Sequence, residues 1–443
     1  MERVTAEPLT LSRPDGEPPA THAVVEPRVS TRRRVITGLV TVLVGVVAVL
    51  GLGLGANPGQ AAFGLSQLGN TVQIPVLRIP GGTVAVALGV AIVVLGLWQL
   101  VRGFSRRSLR WVVAAVILLF VLAFLCWAAT GQAGTPIDLI GALQLSIFAA
   151  TPLILGALAG IVCERSGVIN VAIEGQLLGG AFAGALAASL THSLGAGLVV
   201  AALAGALIGA LLAVFAIRYL VNQVVLGVVI NLLVLGLTGY LYRSLMQQDP
   251  QRYNSPATLA PIRIPGLADI PIIGPLLFNA NILVYAMYVL IIVVDIGLFR
   301  TRWGLRTRAV GEHPRAADTV GINVWRVRYR NVILGGLIAG LGGAFLTIGA
   351  VGSFSGNISS GKGFIALAAV IFGRWSPRGA VAAALLFGFT NELQVLLSVV
   401  GTPVHIPSAF LSMLPYVATL FAVAGLVGKV SAPAADGVPY TKE

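Results

Sequence analysis

The chain has little charge, few histidines and almost no sulfur. Asp, Glu, Lys and Arg make up 10% of its 443 residues, and the 16 acidic residues are outnumbered by 29 basic ones. A soluble domain of this length would carry far more charged surface. The two cysteines, Cys126 and Cys163, fall in or at the end of apolar runs. They have neither disulfide-framework nor metal-ligand spacing and read as small buried hydrophobes. The four histidines, His22, His192, His313 and His405, are scattered, and no H-E-x-x-H pair occurs. No metal site, and no nucleophile–base pair for an intramembrane enzyme, can be assembled from them. The alternating pattern of a membrane β-barrel is also missing.

Apolar sequence is what the chain has in abundance. It is 57% hydrophobic with a mean hydropathy of +0.92. Runs of about 18 to 22 apolar residues recur, long enough to cross a hydrocarbon core of about 30 Å as helices. The expected fold is all-α, a polytopic transmembrane bundle of about twelve spans. These are placed near 35–55, 83–101, 111–130, 140–162, 171–190, 197–217, 223–242, 281–299, 331–351, 363–373, 380–400 and 409–428. The tenth is short and glycine-flanked, which suits a re-entrant segment as well as a crossing. Residues 1–34 are expected to be a disordered cytoplasmic tail, 35–135 additional N-terminal helices, 136–430 the core and 431–443 a second cytoplasmic tail.

The net charge of +13 reflects topology rather than a nucleic-acid partner. With both termini inside, 24 of the 29 basic residues fall on inside segments, leaving Arg78, Arg243, Arg252, Arg263 and Lys362 outside. The proline-containing segment 246–280 then forms an external ledge. Small-xxx-small pairs, Gly156/Gly160, Gly180/Gly184, Gly205/Gly209 and Gly336/Gly340, suit close helix packing.

The polar island Gly304–Ile322 is unusual in such a background. His313 followed by Pro314 reads as a helix start, and Gly321 as its end. The short helix would show Ala316, Ala317 and Val320 on one side, with Arg315 and Asp318 elsewhere. It suits either docking in a groove of a cytoplasmic partner or a positive loop that only fixes orientation.

GNISSGKG (356–363) nearly spells a phosphate-binding loop, but Gly363 stands where the Mg²⁺-binding hydroxyl belongs. The charge partition also places it outside, so no nucleotide site is expected there. Within the spans, Asn170 and Glu174 share a helix face, with Gln176 close by. A carboxylate at that depth must face protein or a water-filled path. It either lines the translocation path or its inner gate, or serves structurally by accepting bonds from a neighbouring helix start or pairing with Arg165. Asn222, Gln223, Asn231 and Asn391, and Phe354 among the aromatics, pose the same choice between substrate contact and packing.

Several of these motifs occur together in one family. The island, GGLIAGLGGA after Val332 and SGKGFIALAAVIFGRWSPRGA (360–380) resemble ATP-binding-cassette import permeases of the ribose and branched-chain amino acid type. ERSGVINVAIEGQ (164–176), NQVVLGVVINLL (222–233) and RAVGEHPRAADTVGIN (308–323) are closest to its nucleoside branch. The likeness runs from about residue 138 to 430 and leaves the first three helices unexplained. It implies a type II importer architecture and nucleosides as the solute. It also implies a coupling helix formed by Gly311, Glu312, His313, Pro314, Arg315, Ala316, Ala317, Asp318 and Gly321. The implied partners are ATPase subunits carrying ATP and Mg²⁺, a second permease subunit and an extracytoplasmic substrate-binding lipoprotein, all in a bacterial plasma membrane and its lipid. The chain itself is expected to bind no cofactor. Simple sugars are the alternative solutes. An ion-coupled secondary transporter is the alternative mechanism, but no repeat relates the halves and few embedded charges join Glu174, Asp295 and Glu392.

Overall fold

The computed structural model describes residues 31–56, 59–66, 73–130, 136–400, 407–411, 413 and 431–442. Residues 1–30 of the expected tail and most of the twelfth expected span lie outside these. Among the described residues, ten helices are long and apolar enough to cross a membrane.

Three helices come first: α1 (Thr31–Val47, prolonged by a π-helical stretch Ala48–Leu54), α2 (Gly81–Val101) and α3 (Arg106–Ala129). A small sheet not foreseen from the sequence links them to the core. Its strands are β1 (Ala61–Gly64), β2 (Leu77–Ile79) and β3 (Ile137–Asp138) in the order β2-β1-β3. Phe63 of β1 stands opposite Ile137, where the chain enters the core.

The core helices are α4 (Leu139–Glu164), α5 (Ile173–Thr191), α6 (Leu194–Ala213) and α7 (Gln223–Leu241). The expected ledge is ordered, with short helices α8 (Pro250–Tyr253) and α9 (Ile273–Phe278) and the paired strands β4 (Ile262–Arg263) and β5 (Asn279–Ala280). Then follow α10 (Ile282–Arg300), α11 (Arg302–Glu312), α12 (Pro314–Thr319), α13 (Val324–Leu346), α14 (Lys362–Phe372), α15 (Pro377–Val400) and α16 (Ser408–Leu411).

In α4, α5 and α13, 78% of the apolar window is buried, against 22–39% in the other spans. These three form the centre of the core, with α6, α7, α10, α14 and α15 packed around them, while α1–α3 pack on one another and against α15. Glycine sets their spacing. A Cβ on Gly205 of α6 would overlap the backbone of Gly336 and Gly340 in α13, and one on Gly180 of α5 would meet Gly340. Gly156 and Gly160 of α4 face Ala366 and Val370 of α14. All four glycine pairs therefore lie at helix–helix contacts, where a missing side chain lets backbones approach.

Of the candidate spans, α14 is the exception. Its 11 residues reach about 16 Å, half a hydrocarbon core. The turn-rich segment 352–361 leads into it, and its N-terminus lies inside the bundle against α5. The last residues of GNISSGKG, Ser359–Gly363, are drawn in onto Glu174.

Candidate functional site

One end of the bundle carries a polar platform built from α11, α12 and the connector 165–172 between α4 and α5. Thr301 caps α11, its hydroxyl accepting the Gly304 N–H. His313 precedes α12 with Pro314 in its first turn, and Gly321 follows with φ +84°, so the ends match the sequence reading. Asn323 then caps α13. The platform is fastened from below: Trp303 Nε1 donates to Asn331 Oδ1 at 3.0 Å, and Asn331 Nδ2 donates to Thr307 Oγ1 at 3.0 Å. Gly311 sits so close to the Arg165 carbonyl that a Cβ would overlap it.

The expected small-residue face is split. Ala317 turns inward, 3% exposed, onto Val310, Val324 and Val327, whereas Val320 is 74% exposed and Ala316 is open. The residues left facing outward are Glu312, His313, Arg315, Ala316, Thr319 and Val320. The inward turn follows from helix geometry, because a six-residue helix lying on a flat base must bury one of every three or four positions. Helix α11 itself, which makes half of the platform, was not anticipated.

The second cluster lies deeper. Ile169 N–H donates to Gln223 Oε1 at 2.7 Å, and Asn231 Nδ2 donates to the Val171 carbonyl at 2.9 Å. Asn231 is eight residues beyond Gln223 on α7, so the connector climbs about 12 Å into the bundle before α5 begins. Backbone groups exposed by such a break have no water at that depth and must be satisfied by protein. Side chains do this here. Asn231 Oδ1 also accepts Gly175 N–H at 2.8 Å, while Asn170 and Gln176 satisfy each other's side-chain amides at 3.0 and 3.3 Å.

Glu174 closes the cluster from α5. Its Oε1 accepts the Ser359 hydroxyl at 2.6 Å and Gly361 N–H at 2.8 Å, and its Oε2 accepts Gly363 N–H at 2.6 Å. The loop that resembles a phosphate cradle thus does hold an anion, the carboxylate of its own chain. The charge also sits at the N-terminus of α14, where the helix dipole favours it. This fastening belongs to the structural alternative stated for Glu174, a helix start on a neighbouring element; Arg165 instead donates to the Trp375 carbonyl at 2.8 Å.

The remaining candidates are dispersed. Asn222 is exposed and caps α7 through Val224 and Val225 N–H. Phe354 is 1% exposed, its ring edge-on to Phe182 and Tyr242. Asn391 is exposed on α15. Ser359, Asn331 and the buried Arg328 were missed; in the sequence Arg328 is one arginine among many in a basic stretch.

The arrangement defines a multi-pass α-helical membrane protein: three buried helices, a broken span meeting a carboxylate inside the bundle, and a polar platform at one end. Residues 142–424 match the family described as branched-chain amino acid transport system / permease component. The chain is 41% identical over 303 residues to the guanosine ABC transporter permease protein NupQ of Bacillus subtilis (strain 168), covering 66% of this chain and 94% of that protein. It is 38% identical over 300 residues to the nucleoside ABC transporter permease protein NupC of Lactococcus lactis subsp. cremoris, with the same two shares. It is 34% identical over 255 residues to a putative glucose ABC transporter permease protein of Haloferax volcanii, covering 58% of this chain and 77% of that one. No solved structure matches the chain.

The chain belongs to this permease family. It is a permease subunit of an ABC transporter and not an enzyme, and ATP hydrolysis belongs to a separate subunit.

Proposed function

We propose that the chain forms the path by which nucleosides enter the cell, driven by ATP hydrolysed on a partner. The observation that carries this reading is the likeness to two permeases named for guanosine and nucleosides across 94% of their lengths. Simple sugars are the second reading, favoured by the weaker likeness to the putative glucose permease.

In this reading the core 136–430 is a type II permease of about twelve spans in all, with residues 35–135 added before it. Both termini lie in the cytoplasm of a bacterial cell, and the α11–α12 platform faces the same way. An ATPase carrying ATP and Mg²⁺ seats on the outward residues His313, Arg315, Ala316 and Val320. A second permease subunit completes the path, and an external lipoprotein delivers the solute. ATP-driven closure of the ATPases moves the platform, and the connector 165–172 carries that movement to the cluster of Asn170, Glu174, Gln176 and Asn231, which forms the inner gate. The supporting geometry is continuity: the same short connector touches Gly311 at one end and carries Glu174 just beyond the other.

The test is uptake of labelled purine and pyrimidine nucleosides in cells with and without the chain, with unlabelled sugars and amino acids as competitors. Loss of nucleoside uptake that only nucleosides compete for supports the reading. Intact nucleoside uptake with lost sugar uptake moves the chain to the second one.

A further inference from the structure

The C-terminal segment Ser431–Lys442 lies beyond the family match, which ends at residue 424, yet it is fixed to the platform along most of its length. Ala435 N–H donates to the Gly311 carbonyl at 2.9 Å, and Ala434 N–H donates to Glu312 Oε2 at 3.1 Å. Lys442 Nζ reaches Asp318 of α12 at 3.7 Å. Tyr440, 7% exposed, packs with Val310, Ala317, Val324 and Val327 and meets Trp325 edge-on. It is the largest member of that small apolar cluster, whose other members around Ala317 are Val310, Val324 and Val327 with the partly buried Ala309 and Ile322.

The segment also grips the connector and α13. Arg328, 1% exposed, donates from Nη1 to the Val438 carbonyl at 3.0 Å and from Nε to the Ser166 carbonyl at 3.2 Å. A Cβ on Gly167, which has φ +84°, would meet both Arg328 and the Ala435 carbonyl, and one on Gly437, at φ +75°, would meet Ile169. Two glycines in the left-handed region, one on each chain segment, make this approach possible.

We propose that residues 431–442 are a positioning element of the coupling apparatus, joining α12 to the connector 165–172 through Tyr440 and Arg328 so that movement of the platform reaches the centre of the bundle. The inference rests on the functional reading above, in which an ATPase seats on α12. Helix α12 has six residues, of which Ala317 alone is buried. The segment adds Tyr440 and Lys442 to its contacts and links it to the connector that carries Glu174 just beyond its far end.

A contiguous set of contacts becomes a coupling path only when cutting it uncouples the sites. The experiment uses the complete transporter in proteoliposomes, with the intact chain, a chain ending at residue 430, Tyr440→Ala and Tyr440→Phe. It reads the amount of ATPase subunit retained and the ATP hydrolysed per solute imported. The expected result is full ATPase retention in all four. The ATP-to-solute ratio rises roughly five-fold or more in the shortened chain and in Tyr440→Ala, and Tyr440→Phe behaves as the intact chain. An unchanged ratio in the shortened chain overturns the proposal. So does loss of the ATPase from the shortened chain alone, because the segment would then be part of the docking surface. If the intact chain retains no ATPase, the functional reading fails and this one falls with it.

Discussion

The carboxylate of Glu174 receives the backbone N–H of Gly363 at 2.6 Å, across a sequence separation of 189 residues. With Ser359 and Gly361 as further donors, this contact fastens the start of the half-span α14 to the start of α5. Both helices begin inside the bundle, and each leaves backbone groups that one carboxylate and a few amides satisfy.

Removing that carboxylate leaves two buried donors, the Ser359 hydroxyl and Gly363 N–H, and the part-buried Gly361 N–H without their acceptor. Each buried donor costs about 1–3 kcal/mol when unsatisfied. Glu174→Ala is therefore expected to lower the thermal midpoint of the purified protein substantially, and Glu174→Gln, which keeps an acceptor oxygen, less so. Gly363→Ala should be at least as harmful as Glu174→Gln, since its Cβ would overlap the Glu174 backbone. Thermal unfolding in detergent checks the order; a neutral Glu174→Ala would mean that the nest is dispensable.

The glycines divide into two groups. Gly205→Ala pushes a methyl group into the α13 backbone and should destabilise the bundle, whereas Gly236 of α7 has nothing within 4 Å of its added Cβ. Gly236→Ala should be neutral or gain up to about 1 kcal/mol from helix propensity. Expression level and unfolding temperature of the two variants measure the difference.

Neighbouring alanines of α12 should separate docking from folding. Ala316→Asp places its charge on the open face and is expected to abolish ATPase co-purification while leaving thermal stability unchanged. Ala317→Asp buries a carboxylate beneath the helix and should lower stability first. If Ala316→Asp retains a fully active ATPase, the docking face lies elsewhere.

Attachment of the C-terminal segment should depend on pH. Burial pushes the Asp436 carboxyl well above the usual aspartate range, and Arg328 beside it pulls the other way. Glu164 at the end of α4 also faces it. A carboxyl whose folded pKa is raised contributes stability that is present at low pH and lost as pH rises through the raised value. Hydrogen-exchange protection over 431–442, corrected for intrinsic rates, should therefore fall as pH rises from the ordinary aspartate range through the raised value. Asp436→Asn should remove that trend.

The spans were legible because length and hydropathy are local properties. Eleven of the twelve expected segments coincide with helices in the described residues, the twelfth lying mostly outside them. The caps of α12 were legible for the same reason, since Pro314 and Gly321 act on their own turns. What could not be read was pairing across distance. Nothing local to Gly363 says that its N–H meets Glu174, and an arginine such as Arg328 looks the same in sequence whether it meets solvent or a carbonyl 110 residues away. The inward turn of Ala317 was hidden because Tyr440, which covers it, comes from the far end of the chain.

The most direct measurement is labelled nucleoside influx into proteoliposomes holding the complete transporter, with ATP or a non-hydrolysable analogue supplied to the ATPase side. The account predicts influx with ATP only, blocked by unlabelled nucleosides and indifferent to sugars. Influx that persists without ATP and collapses when an ion gradient is dissipated would contradict it.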